Sequence, residues 1–199
     1  MRIALYLSGG VTALEYWEGS NSEDDNPEPA LESEATSLLG GVGVGIRQNF
    51  TRAVGAHLRV LAHFDSPGVL PEDYESWETS LFGMALALEG GLRLGPVADS
   101  APWYFDVLLG LGGRFIFGNV TCAGSYRCYL DYEYDSVQVE PDSTYDVSSS
   151  FFGITGGVAT GFVFGNQEQY DLGIRFAMLT DTGGKGHLPL TLLFGWALD

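Results

Sequence analysis

The sequence predicts an all-β fold, an eight-stranded antiparallel up-and-down transmembrane β-barrel, and three observations predict it. Apolar residues alternate with small or polar ones at period two through eight separate stretches, as they do on strands with two different faces. The composition disfavours helices, with 28 Gly and 13% aromatic residues but only 18% charged. Connections between the stretches alternate long and short, so an up-and-down order gathers the long loops at one end and the short turns at the other. Residues 1–199 are expected to form a single domain, being long enough for one substantial core.

The first stretch, Ile3 to Trp17, sets Ile3, Leu5, Leu7, Val11 and Ala13 against Tyr6, Ser8, Gly10 and Thr12. The second, Leu38 to Phe50, sets Val42, Val44 and Ile46 against Gly41, Gly43, Gly45 and Arg47. In the third, Val54 to Phe64, His57, Arg59, Leu61 and His63 lie opposite Leu58, Val60 and Phe64. The fourth, Thr79 to Leu94, places Ala85, Ala87, Glu89, Gly91 and Arg93 opposite Met84, Leu86, Leu88 and Leu92.

The fifth, Trp103 to Phe117, is the clearest. Trp103, Phe105, Val107, Leu109, Leu111, Phe115 and Phe117 share one face, while Asp106 and Arg114 share the other with Gly110 and Gly112. The sixth is Phe151 to Gly165, with Phe152, Ile154, Val158 and Phe162 facing away from Gly153, Gly157, Ala159 and Gly161. The seventh, Tyr170 to Thr180, opposes Leu172, Ile174 and Phe176 to Asp171, Gly173 and Arg175. The eighth, Leu188 to Leu198, alternates Leu190, Leu192, Phe194 and Trp196 with Thr191, Leu193, Gly195 and Ala197.

Because apolar residues alone set these registers, the charges test them. Arg47, Arg59, Glu89, Arg93, Asp106, Arg114, Asp171 and Arg175 all fall opposite the apolar face, an agreement expected by chance about once in 250 trials. Glu15 and Gln48 are exceptions and lie near strand ends. A soluble barrel predicts the same agreement with the opposite sidedness, so alternation alone does not choose between water and lipid.

Connection lengths and face composition do choose. Long connections span Gly19 to Ser37, Asp65 to Glu78 and Gly118 to Ser150; short ones span Thr51 to Ala53, Gly95 to Pro102 and Asn166 to Gln169. The charged face is rich in glycine and poor in lysine, which suits a crowded lumen better than a solvated surface. No run of about 18 apolar residues exists for a membrane helix, whereas a barrel strand needs only about 9–11 residues to cross.

The net charge of −17 argues against nucleic acid and against docking on an anionic membrane surface, since both require basic patches. Cys122 and Cys128 stand close together in a polar stretch, and a disulfide in an oxidising compartment is the expected reading. No metal ligand set and no cofactor is expected. The run from Ile3 to Leu14 lacks a clean cleavage signal, so Met1 is read as a start or processed end with its export signal missing.

The chain resembles the small eight-stranded bacterial outer-membrane barrels, the OmpA-like transmembrane domain and OmpX-like proteins, over essentially its whole length. The resemblance rests on architecture and on the alternating last strand, where Leu190, Leu192, Phe194 and Trp196 match and Leu198 and Asp199 depart. It implies a bacterial outer membrane, contact with its lipid, loops outside, and a structural, surface-interaction or small-ligand role without catalysis.

Seven of the inward charges (all but Arg114) are expected to meet as one buried network in the turn-side half of a plugged or narrow lumen, with Arg114 nearer the outer mouth. A polar conduit is the sharper alternative. Two other readings stand beside the barrel: a soluble lipocalin-like barrel binding an apolar ligand, and an outer-membrane lipid-modifying enzyme built on His63, Asp65 and Ser66. Acidic loops, Ser22 to Glu34 and Asp131 to Asp135, and the tyrosines Tyr126, Tyr129, Tyr132, Tyr134 and Tyr145 are candidates for contact with an extracellular protein or small ligand. The sequence leaves the oligomeric state open.

Overall fold

A computed structural model describes residues 1–16, 37–51, 53–67, 77–95, 102–122, 128–132, 135–139, 142, 144–165 and 169–198. In chain order the strands are β1 (Arg2–Tyr16), β2 (Ser37–Asn49), β3 (Val54–Asp65), β4 (Trp77–Leu94), β5 (Trp103–Cys122), β6 (Cys128–Tyr132), β7 (Asp135–Val139), β8 (Thr144–Phe164), β9 (Tyr170–Thr180) and β10 (Gly186–Leu198). Eight of them close a barrel in the order β1-β10-β9-β8-β5-β4-β3-β2, and β6 pairs with β7 as a separate hairpin. Every pairing is antiparallel, and β1 meets β10 from Ile3↔Leu198 to Tyr16↔Gly186. Closure leaves no free edge around the ring, which is what a sheet needs where no water can satisfy its backbone.

The eight predicted stretches are the eight barrel strands, within a few residues at most ends. The second and third long connections are shorter than predicted. Asp65 is the last residue of β3, and β4 begins at Trp77, so the second loop loses residues at both ends. The third, taken as Gly118 to Ser150, contains the end of β5, the β6–β7 hairpin and the start of β8. Here β5 and β8 stay paired out to Thr121↔Thr144 and β4 follows β5 to Trp77↔Cys122. Polar residues such as Asn119, Ser148 and Ser149 do not end a strand whose partners already supply its backbone hydrogen bonds. Apolar alternation marks only the lipid-facing part of a strand, so the sequence marked that part alone.

Burial has the predicted sidedness. On β5, Leu109 and Leu111 are 68% and 64% exposed, whereas Asp106 is fully buried and Arg114 1% exposed. Leu58, Leu88 and their neighbours repeat this around the ring: apolar side chains face out and charged ones in. Aromatic groups collect on the outside near both ends. Phe82 packs with Phe64 and Phe117 at the loop end, and Tyr170 stacks with Phe164, Phe194 and Trp196 at the turn end. Apolar bands flanked by two aromatic girdles are the signature of a barrel solvated by a bilayer.

Of the two exceptions to the charge pattern, Glu15 lies beyond a shift of the β1–β10 register between Thr12 and Leu14, where its backbone pairs with that of His187; its side chain lies outside the described residues. Gln48 keeps its outward parity and is exposed beside the short turn, at the rim.

Candidate functional site

Inward glycines make room for the interior charges. Gly110 lies between Glu89 on β4 and Thr155 on β8 in the register, so no side chain separates them. A Cβ at Gly83 would collide with the carboxylate of Asp65 and the guanidinium of Arg114, and one at Gly195 with the carboxylate of Asp171, at 2.6 Å from its Oδ1. These are close approaches that only a missing Cβ permits.

Arg47, Arg59, Glu89, Arg93, Asp106, Arg114, Asp171 and Arg175 are all inside and at most 8% exposed. They form three layers, which corrects the expectation of one turn-side network. Glu89 and Arg93 are four residues apart on β4, about 13 Å of strand, and their hydrogen bonds go to different partners.

Nearest the turns, Arg93 grips Asp106 with two hydrogen bonds, Nε to Oδ1 at 2.8 Å and Nη2 to Oδ2 at 2.9 Å. The two residues are direct register partners on β4 and β5. The Arg93 guanidinium also lies 3.7 Å from the centre of the Tyr104 ring, a cation–π contact strengthened by exclusion of water. Asp171 joins the layer, accepting from Arg47 Nη1 at 3.0 Å and lying 3.9 Å from Arg93 Nη1. His57 Nδ1 approaches Asp106 Oδ2 at 3.7 Å.

In the middle layer Glu89 accepts from two arginines. Arg59 Nε donates to Oε2 at 3.2 Å and Arg175 Nε to the same oxygen at 3.1 Å, while Arg175 Nη2 and Thr155 Oγ1 donate to Oε1. Toward the loops, Arg114 grips Asp65 through Nη1 at 2.7 Å and Nη2 at 2.9 Å. Ser37 and Thr12 hydroxyls donate to the same carboxylate at 2.8 and 3.2 Å. Paired arginine forks of this kind give directional, charge-assisted bonds in a space that holds little besides side chains.

Sequence reasoning placed all eight charges inside but missed Asp65 as the partner of Arg114, and with it Thr12, Ser37 and Thr155. The available signal was the inward parity of Asp65, two residues beyond His63. The sequence groups Asp65 instead with His63 and Ser66 as a candidate catalytic set, and the structure separates that set. The Asp65 carboxylate is taken up by Arg114, Ser37 and Thr12; the Ser66 hydroxyl donates to the Leu81 carbonyl at 2.9 Å; His63 Nε2 has no hydrogen-bond partner. No chain of proton transfer runs from acid to imidazole to hydroxyl.

Among the described residues, no group of three or more His, Cys, Asp or Glu could hold a metal ion. Cys122 ends β5 fully buried, and no described cysteine is free. The side chain of Cys128 lies outside the described residues, as do the acidic stretch Ser22 to Glu34 and the side chains of Asp131, Asp135, Tyr126, Tyr129, Tyr132, Tyr134 and Tyr145. At the turn end a cleft of about 320 Å³ opens between Asn49, Thr51, Gly95 and Trp103 and reaches inward to Arg93 and Tyr104.

An apolar, aromatic-girdled exterior over a layered ionic interior, on eight closed strands, defines the class as a β-barrel of transmembrane type. No protein-family model and no curated protein matches the chain. Among solved structures it is similar to Ail, the attachment invasion locus protein of Yersinia pestis, at 12% identity and a TM-score of 0.47, covering 99% of each chain. It is similar also to the N-terminal β-barrel domain of Pseudomonas aeruginosa OprF at 12% identity and a TM-score of 0.47, covering 98% of this chain and 97% of that one. Neisserial surface protein A gives 11% identity and a TM-score of 0.44, over 99% and 97% respectively.

Proposed function

We propose that the chain is an integral barrel of a bacterial outer membrane, closed to solutes by its ionic layers, with a structural or surface-interaction role and no catalysis. The observation that carries this reading is the sidedness: apolar side chains exposed in a continuous belt, charged ones buried in pairs. A soluble lipocalin-like barrel would leave that belt in water and keep arginines where an apolar ligand should sit. The lipid-modifying reading lacks support because its candidate acid is occupied by Arg114.

In this orientation the belt contacts outer-membrane lipid and the short turns face the periplasm. The acidic loops face outward, where they are suited to an extracellular protein or small ligand. Cys122 and Cys128 are proposed to form a disulfide there, where an oxidising compartment would maintain it. The test is reconstitution followed by loop proteolysis and single-channel recording. The barrel should require detergent for extraction, be cut only on the long-loop side, and show no ion conductance in a planar bilayer. Solubility without detergent would overturn the membrane assignment, and steady conductance would overturn closure.

A further inference from the structure

Three strands outgrow the ring at the loop end. Pairing of β3 with β4 stops at Asp65↔Gly83 and that of β9 with β8 at Thr180↔Ile154, but β4, β5 and β8 stay paired with one another as far as Trp77↔Cys122 and Thr121↔Thr144. The result is a three-stranded blade above the barrel, with β5 in the middle and β4 and β8 at the edges. Its outward face turns polar on the way up, from the Phe82–Phe117 pair to Ser80, Asn119 and Asp146 and then to Glu78, Thr121 and Thr144, so the blade leaves the bilayer behind.

The two edges differ. On the β4 edge, residues 77–82, the Leu81 carbonyl is already taken by the Ser66 hydroxyl. The β8 edge, residues 144–153, is longer, and β9 cannot follow it, because Thr180 leads straight through the turn 181–185 into β10. Among the described residues nothing pairs with it. The register shows which backbone groups it leaves free. Val163 N–H donates to the Pro102 carbonyl on the β5 side, and the β5–β8 register runs without a shift from Trp103↔Phe162 to Thr121↔Thr144. Residues of an antiparallel strand alternate in the side to which they turn both backbone groups. Odd-numbered residues therefore bond to β5, while Thr144, Asp146, Ser148 and Ser150 direct N–H and C=O to the open edge, and all four are exposed.

Sheets blunt a free edge with Lys, Pro or a bulge. This edge, TYDVSSSFFG, has no Lys, no Pro and no shift of register. The blade is also of one sign: residues 77–82, 117–122 and 144–153 contain Glu78 and Asp146 but no Lys, Arg or His. A second copy in the same membrane holds its β8 in the same direction, so it cannot extend the sheet in the antiparallel sense of every other pairing; a protein outside the cell is free to do so.

We infer that the β8 edge from Thr144 to Ser150 is a docking site for an extended strand of an extracellular protein, added antiparallel and carrying Lys or Arg against Asp146. Backbone bonds supply the affinity and the alternate side chains the selectivity. The inference rests on the outward orientation of the loop end proposed above.

The test follows single amides by NMR in the isotope-labelled full chain in lipid nanodiscs. In the free chain the amides of Asp146, Ser148 and Ser150 should exchange fast with solvent, and those of Val147, Ser149 and Phe151 slowly. The probe is a short peptide alternating Lys and Val. In excess it should slow the even-numbered set, whereas the same peptide with every backbone nitrogen methylated should not, and a Glu–Val peptide should bind far more weakly. Ser148→Pro removes an edge N–H and no bond to β5, so it should weaken Lys–Val binding about tenfold, the worth of one backbone hydrogen bond. Slow exchange of the even-numbered set in the free chain, no slowing with excess Lys–Val peptide, equal binding of the Glu–Val peptide or equal binding by Ser148→Pro would each overturn the site. Slowing that grows with the concentration of the chain alone would assign the edge to a second copy and overturn it too. If Ser148→Pro does not fold, the exchange pattern and the peptides decide by themselves. Extraction without detergent would sink the outer-membrane reading instead, and the exchange pattern would still report on the edge.

Discussion

Glu89 bonds to residues on three other strands, β3, β8 and β9, so its loss acts on more of the barrel than the loss of a single pair. Glu89→Ala should leave two buried arginines facing each other, at a cost of about 3–5 kcal/mol. Chemical unfolding in detergent reads this directly, and an unchanged midpoint would refute the pairing. Gly83→Ala tests the outer layer with one methyl group. Its Cβ would enter the space of the Asp65–Arg114 pair, so a loss of about 1–3 kcal/mol is expected from overpacking. Gly90→Ala is the control, since its Cβ would approach no atom nearer than Leu109 O at 3.7 Å; the two variants should differ clearly in unfolding midpoint. At this scale the sequence revealed which residues turn inward but not whom they meet. Arg93 and Asp106 face each other in register. Arg114 instead reaches Asp65 across β4, through the space left by Gly83, and no local spacing records such a contact.

A strand here is two surfaces in two solvents, and the outward one admits a test of its own. Leu111 is 64% exposed on β5 and flanked by Leu88 and Ile154 in the register. Leu111→Lys in lipid should cost about 2–4 kcal/mol if this face lies near the bilayer midplane. On a soluble barrel the same change would add a surface lysine and leave stability within about 0.5 kcal/mol. Equilibrium unfolding from lipid vesicles separates the two. Strand parity was legible throughout because apolar residues are placed by the solvent they face. Strand ends and the β1 bulge were not. Beyond the bilayer β4, β5 and β8 continue with polar side chains, and the bulge shifts the β1–β10 register after Thr12 without altering the apolar pattern before it.

For the whole molecule, closure joins Arg2–Tyr16 to Gly186–Leu198, the first and last strands of the ring. A ring without edges opens only by losing many hydrogen bonds together, so unheated samples should stay folded in dodecyl sulfate and migrate differently from boiled ones. A single band position before and after boiling would count against a closed barrel. The −17 charge is divided unevenly. Five of the nine basic residues are buried in the three layers, and most acids lie in the connections at the loop end. The interior and the loop end therefore differ in electrostatic character.

The sequence by itself determined the fold class, the number of barrel strands, the direction each strand faces and eight of the charges inside. Period-two alternation is a local property of a chain lying between two solvents, and it survives without any knowledge of neighbours. Only the tertiary structure decided the pairing of Arg114 with Asp65 and the division of the charges into three layers. Those depend on inter-strand register and barrel closure, which bring together side chains as far apart in sequence as Arg47 and Asp171.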